Sequence, residues 1–336
     1  MIIPNTPTPT LVSLITGHRS LITNIYLTAA NFEFNSLSHK LTSKFTYMKR
    51  RHFLKSAVLA TGAISLANFP YHLYASATKK YVHDRIKLGD SGIEVSRMAM
   101  GTGTHGFNKS SAQTRQLGIK GLSDLLRAAY DEGVNFWDSA DQYGSHPHLK
   151  EALKYVNREK VVIMSKTHAK TAEQMKADLE RYKKEIGTDY IDIILLHAET
   201  SRNWRNEHKG AMDFLSEQKE KGIVKINGIS CHSLVALEEA AVEPWVDLDL
   251  ARWNPAGISM DSDVETVRKV LTRMKKNGKS IMGMKVLGAG KLSHKKDEAL
   301  QFQLGTDFID CFTIGCESYD HFKDLQKRIP EASVRS

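Results

Sequence analysis

Cysteine is scarce, three in 336 residues, which is too few for a disulfide framework, so a buried core must hold the fold. No run of about 20 apolar residues occurs that could serve as an internal bilayer-spanning helix. Proline numbers eight and glycine 22, far below the enrichment of collagen-like or low-complexity chains. What is present is ordinary: 41% hydrophobic and 25% charged residues, enough apolar material to exclude disorder. At this length, either two domains or a single α/β barrel of roughly 250 residues fits.

The formal charge of +9 invites a nucleic-acid reading until the charges are placed. Residues 1–77 hold seven basic side chains (Arg19, Lys40, Lys44, Lys49, Arg50, Arg51, Lys55) and one acid, Glu33. Residues 78–336 therefore carry 40 basic against 37 acidic residues, a net of +3. A nearly balanced body removes the case for nucleic acid.

The leader is ordered by composition. Met48-Lys-Arg50-Arg51-His-Phe-Leu-Lys55 is a charged segment, 57–69 is weakly apolar, and Ala75-Ser76-Ala77 offers a small-x-small cleavage pattern. Paired arginines before Phe-Leu-Lys are similar to a twin-arginine export signal. The expected organisation is an upstream extension over 1–47, a signal peptide over 48–77 and one domain over 78–336. The twin-arginine export machinery is the expected partner. The expected destination is the periplasm, or the cytoplasm if the signal is not used.

From Ser96 the chain alternates apolar runs with amphipathic segments. Strands are expected at 98–103, 135–139, 161–167, 191–197, 224–230, 246–253, 280–287 and 310–315, with helices such as 122–131, 172–186 and 264–277 between them. Near-continuous apolar strands alternating with helices imply a parallel sheet covered on both faces. Eight units imply an α/β fold closed into a (β/α)8 TIM barrel. Ahead of them, 85–88 and 93–95 flank Gly89-Asp-Ser-Gly92 and read as a β-hairpin plugging the N-terminal mouth. Gly101-Thr-Gly103-Thr-His-Gly106 matches a dinucleotide fingerprint by letter. However, 107–115 reads as polar and irregular, and the first acidic strand end, Asp138, comes too late.

Barrels gather their chemistry where strands end. Those ends carry Asp138 and Tyr143, Lys166 and His168, His197, then Ser230-Cys231-His232 and Trp253-Asn254. A phenol with a pKa near 10 needs help at neutral pH, and a neighbouring ammonium, itself held by a carboxylate, lowers that value. Asp138, Lys166 and Tyr143 can form such a chain. A neutral His197 can orient a carbonyl oxygen. The array suits carbonyl reduction, with the hydride drawn from a cofactor.

These residues resemble the aldo/keto reductases over essentially all of 83–328. The hairpin Arg85-Ile-Lys-Leu-Gly-Asp-Ser-Gly-Ile-Glu-Val-Ser96 and Phe136-Trp-Asp138-Ser-Ala-Asp-Gln-Tyr143-Gly144 are similar to family signatures. So are Ser165-Lys166-Thr167, Leu195-Leu196-His197, Gly228-Ile-Ser230 and Met284-Lys-Val-Leu-Gly-Ala-Gly290. The resemblance implies an NADP- or NAD-dependent oxidoreductase acting on a small carbonyl or alcohol substrate. It implies Tyr143 as general acid, Lys166 as its pKa-lowering partner, Asp138 as the anchor of Lys166, and His197 as the group orienting the carbonyl. The implied cofactor-binding set is Thr104, Asp138, Ser230, Trp253, Lys285, Gly288, Gly290, Gly315 and Glu317. Within it, Ser230 would hold the carboxamide, Trp253 would lie near the ring, and the glycines would approach the phosphates.

Three positions depart from the pattern. Cys231 stands where asparagine is common, and Leu250 where glutamine is. Glu317 replaces a basic residue at the adenosine 2′-phosphate, so NADP preference is expected to weaken and NAD to be used. Two rivals stay open. One is a metal-dependent barrel hydrolase built on Asp138, His168, His197 and His232, in which Lys166 would be an uncompensated cation. The other is a non-catalytic nicotinamide-binding barrel. Trp204 and Phe107 are expected in mouth loops walling a substrate pocket.

Overall fold

The computed structural model describes residues 78–335; the expected extension over 1–47 and signal over 48–77 lie outside the described residues. Eight strands are buried on both faces: β3 Met98–Gly101, β4 Phe136–Asp138, β5 Val162–Thr167, β6 Ile191–Glu199, β7 Val224–Cys231, β8 Leu248–Arg252, β9 Ser280–Met284 and β10 Cys311–Gly315. All pair in parallel and close in the order β10-β3-β4-β5-β6-β7-β8-β9. Burial on both faces is why these strands read as continuous apolar runs.

Alternation along each strand fixes what faces inward. Ala99, Phe136, Met164, Ile193, Ile226, Leu248, Leu250, Met282 and Cys311 form one buried cluster inside the barrel. The hairpin β1 Arg85–Lys87 and β2 Glu94–Ser96 is antiparallel. Its Leu88, Ile93 and Val95 join that cluster together with Phe136, Val162 and Leu248, each the first residue of its strand. The hairpin thus closes the end where the strands begin, leaving the opposite end for chemistry.

The outer helices are α1 Ala112–Asp131, α2 His146–Ala152, α3 Ala172–Ile186, α4 Trp204–Glu207 and α5 Lys209–Glu220. They continue with α6 Leu234–Ala240, α7 Val264–Lys276, α8 Lys296–Leu304 and α9 Tyr319–Ser333. Helix α3 keeps its expected limits because both ends are signalled. Thr171 and Gln174 form a reciprocal capping box, and Gly187 leaves the helix at φ 75°.

Helix α1 corrects the expectation of irregular chain over 107–115. It starts at Ala112 through a capping box between Ser111 and Thr114, then breaks at Gly118, where φ is 62°. Polar residues in its first turns hid the helix. It still begins six residues after Gly106 and follows a barrel strand, so the glycine motif is no dinucleotide fingerprint.

Candidate active site

Inward alternation brings Asp138 on β4 and Lys166 on β5 to one level, just above the apolar cluster. Lys166 is fully buried. Its Nζ lies 2.5 Å from Asp138 Oδ1 and donates to the Ser139 carbonyl at 2.8 Å. The second carboxylate oxygen accepts from Thr313 Oγ1 on β10 at 2.8 Å. Both charges are thus paired and hydrogen-bonded, as a buried ion pair must be, since stranding either partner costs about 3–5 kcal/mol.

Tyr143 ends a single 3-10 turn, Asp141–Tyr143, directly after β4. The Lys166 ammonium sits 4.8 Å from the centre of its ring. The His197 ring meets the Tyr143 ring edge-on at 5.7 Å between centroids, and His168 stacks on His197 at 5.0 Å. His197 closes the regular part of β6, where register shifts between Leu196 and Glu199 and Ala198 adopts φ 58°. The structure therefore gathers all four expected catalytic side chains at one mouth.

Gly103 and Gly106 explain why the literal glycine motif exists. A Cβ on either would approach the Tyr143 ring to under 3.0 Å, from its ε2 and δ1 edges respectively. The loop after β3 wraps the phenol with bare backbone. At the loop tip, Lys109 pairs with Asp141 at the start of the tyrosine's own turn.

The electrostatics differ from expectation at the tyrosine. Burial pushes the Tyr143 pKa above its usual value, and Asp138 adds to this; the Lys166 ammonium pulls downward without overcoming them. Burial alone would depress Lys166, but the Asp138 carboxylate and the phenol outweigh it and raise its pKa. Burial, then Lys166 and the neighbouring His168 and His232, hold His197 well below the ordinary imidazole value. At neutral pH this is a protonated phenol, a charged ammonium and a neutral imidazole.

A cavity of about 360 Å³ runs from this group toward the start of α9. Its lining includes Thr104, Asp138, Tyr143, Lys285, Gly290, Gly315 and Glu317 from the expected set. It adds Ser293, Lys296 and His321, which sequence reasoning missed because they lie in loops and helix starts without a pattern. Gln113 fixes Thr104 by accepting from its N–H at 3.0 Å and donating to its Oγ1 at 2.7 Å.

Three expected cofactor residues lie outside this lining. Ser230 shares the inward face of β7 with Ile226 and is 1% exposed, below the rim. Gly288 is buried at φ 56°, packed against Ile258 and Leu292. Trp253 corrects the expectation outright: fully buried, it stacks on Phe302 at 4.9 Å and donates Nε1 to Thr306 Oγ1 at 3.0 Å. The alternation that turns Leu248 and Leu250 inward sends Trp253 outward and makes Arg252 the inward residue at the end of β8. That parity was available in the sequence. Trp204 is also fully buried and walls no open pocket, whereas Phe107 stands 76% exposed.

The donors proposed for a metal do not assemble. Asp138 is committed to Lys166 and Thr313. Among the described residues, the one acid–histidine group with atoms close enough to share an ion is Asp141, His146 and Glu185. There Arg181 already bonds both carboxylates, and His146 bridges Glu185 and Ser165. The charge an ion would bring is supplied by the guanidinium.

Residues 98–326 match the pattern of the aldo/keto reductase family. Aldo-keto reductase YhdN of Bacillus subtilis is 30% identical over 125 residues, covering 33% of this chain and 36% of that protein. Aldo-keto reductase AFTS1 of Alternaria alternata is 26% identical over 197 residues, 46% of this chain and 52% of that protein. The matched stretches thus span about a third to a half of these relatives' own length. Among solved structures, a putative aldo-keto reductase from Pseudomonas aeruginosa superposes with a TM-score of 0.63 at 22% identity, covering 75% of this chain and 97% of that one. The holo form of aldo-keto reductase AKR11C1 from Bacillus halodurans gives 0.58 at 16% identity, covering 76% and 91%. At such identities the likeness speaks for the barrel alone. The family pattern covers more than half the chain, and the chain belongs to the aldo/keto reductase family.

Proposed function

We propose that this chain is an NAD(P)H-dependent oxidoreductase that reduces an aldehyde or ketone, or oxidises the corresponding alcohol. The observation that carries the reading is Tyr143 beside the buried Lys166–Asp138 pair, at the inner end of an open cavity. About 360 Å³ lies within the usual span of small-molecule sites, roughly 300–1,000 Å³. Gly290 and Gly315 leave bare backbone along the cavity, room that a nucleotide would use. Thr104, Gly290, Gly315 and Glu317 would hold it. When bound, the nucleotide supplies the hydride, which no side chain can.

The chain's own residues manage the proton. Tyr143 gives its phenolic proton to the carbonyl oxygen as the carbonyl carbon gains hydride, and Lys166 stabilises the resulting phenolate. Asp138 and the Ser139 carbonyl hold Lys166 in place. His197 Nδ1 is sealed from solvent with no partner, so the neutral ring would carry its proton on Nε2 and present that N–H to the same oxygen. Bulk water returns a proton to Tyr143 between turnovers.

The pKa directions set a pH profile. Tyr143 works in reduction while protonated, and its raised pKa extends that range upward. His197 works while neutral, and its depressed pKa extends that range downward. Reduction should run at constant kcat from about pH 6.5 to 9, bracketed by the ordinary imidazole and phenol values. Alcohol oxidation needs the phenolate and should rise about tenfold per pH unit over the same range. A kcat–pH profile for reduction with an inflection inside that window contradicts the assignment.

Charge at the far end of the cavity supports NAD over NADP. Glu317 lines it, and the nearby Lys296 is already paired with Asp324 at 2.7 Å. A 2′-phosphate would meet a carboxylate and an already neutralised ammonium, whereas a free 2′-OH can donate to Glu317. NADH should bind at least about tenfold tighter than NADPH, a difference of ~1.4 kcal/mol, and Glu317→Lys should narrow the gap. Fluorescence titration of both nucleotides checks this; tighter NADPH binding overturns it.

Export through the twin-arginine machinery remains part of the proposal, supported by Arg50-Arg51 and Ala75-Ser76-Ala77. Intact mass of the protein recovered from a periplasmic fraction tests it. An N-terminus near Thr78 agrees with the reading, and an uncleaved leader contradicts it.

A further inference from the structure

The ends of β7, β8 and β9 carry basic side chains that the reduction chemistry does not use. Arg252 pairs in register with Met284, and Lys285 follows directly. His232 follows the last residue of β7. Three adjacent strand ends thus place three basic side chains on the side of the mouth across from Tyr143.

Little neutralises them. Lys285 is half-buried, and its ammonium makes no hydrogen bond or ion pair among the described residues, while its carbonyl accepts from Gly288 N–H at 2.7 Å. Arg252 spends Nη2 on Asp261, while its buried Nε has no partner. The other nearby acid, Asp138, is already held by Lys166 and Thr313. The groups repel one another. After burial, Arg252 is the main cause of the lowered Lys285 pKa, and Arg252 and Lys285 help press His232 down to about 4. Lys285 is also held at φ 58°, a strained conformation for a residue with a side chain. Half-buried, unpaired positive charge under backbone strain is unfavourable unless a ligand answers it.

The nucleotide is not that ligand. Lys285 lines the cavity together with Asp138 and Tyr143 and feels Asp138 and Lys166, so it stands at the reacting end, where a reduced nicotinamide would bring no charge. The nucleotide's phosphates would be held by Gly290 and Gly315, which line the cavity toward Glu317. We propose that Lys285, Arg252 and His232 form a subsite for an anionic group of the substrate, so that the carbonyl compound carries a carboxylate or phosphoryl group close to its carbonyl. The proposal rests on the carbonyl-reduction reading and names the substrate class for it.

The test uses the full chain with NADH and two matched pairs: 4-oxobutanoate against its methyl ester, and glyceraldehyde 3-phosphate against glyceraldehyde. The wild type should favour the charged member of at least one pair by about tenfold or more in kcat/KM, the scale of one hydrogen bond to a charged group. Which pair responds tells carboxylate from phosphoryl. Lys285→Met should lower kcat/KM for the charged member at least about tenfold more than for the neutral one. No charge preference in the wild type, or equal losses in the variant, overturns the subsite and leaves carbonyl reduction standing. If no carbonyl compound is reduced, calorimetric binding of succinate and of inorganic phosphate decides. Binding that Lys285→Met weakens supports the subsite; binding that is absent or indifferent to the variant overturns it.

Discussion

Replacing Tyr143 by phenylalanine should lower kcat for carbonyl reduction by about 10²–10⁴-fold, the usual share of a positioned general acid. The ring shape stays, so Gly103 and Gly106 still pack on it and the fold is kept. What goes is the phenolic proton beside the buried Lys166–Asp138 pair. Nucleotide affinity should stay within about threefold, because the hydroxyl acts on the transition state rather than on binding. Steady-state kinetics with an independent nucleotide titration separate the two. Equal rates for wild type and Tyr143→Phe would instead favour a barrel that binds nicotinamide without turning over a carbonyl.

Gly106→Ala should damage the same step without touching any reacting atom. Its new methyl would approach the Tyr143 ring to under 3.0 Å, so either the ring or the loop must move. Overpacking of this kind costs about 1–3 kcal/mol of stability. A phenol displaced by about 1 Å can lose on the order of 10²-fold in rate. Gly103→Ala should behave alike from the opposite edge. A control on the same loop, Asn108→Gly, lies at an exposed tip where glycine accepts the φ of 49° without strain, and should leave kcat unchanged. Thermal melts and kcat for the three variants check this, and full activity in both glycine variants would contradict the packing account.

The barrel was legible because its strands are buried on both faces and its helices are punctuated. All eight strands lie within three residues of their expected limits, and α3 carries a capping box at one end and a glycine at the other. Failures came where local signals were weak or parity was ignored. Helix α1 begins in polar residues, so its start rests on Ser111 and Thr114 alone. The strand-end position of Trp253 suggests the mouth, yet alternation from Leu250 turns it outward. The same alternation names Arg252, which carries more chemistry. The direction of the Tyr143 pKa was beyond a sequence reading, because the burial that outweighs Lys166 comes from a loop folding back across 40 residues.

The central claim is that the mouth between Tyr143 and the cavity passes hydride from a nucleotide to a carbonyl carbon. Single turnover of the full chain with 4-deuterated NADH and a panel of aldehydes, ketones and oxo acids tests it most directly. The expected result is deuterium on the carbinol carbon of at least one product, at a rate that collapses in Tyr143→Phe. Deuterium retained in the nucleotide for every compound, with wild type and variant alike, would contradict it.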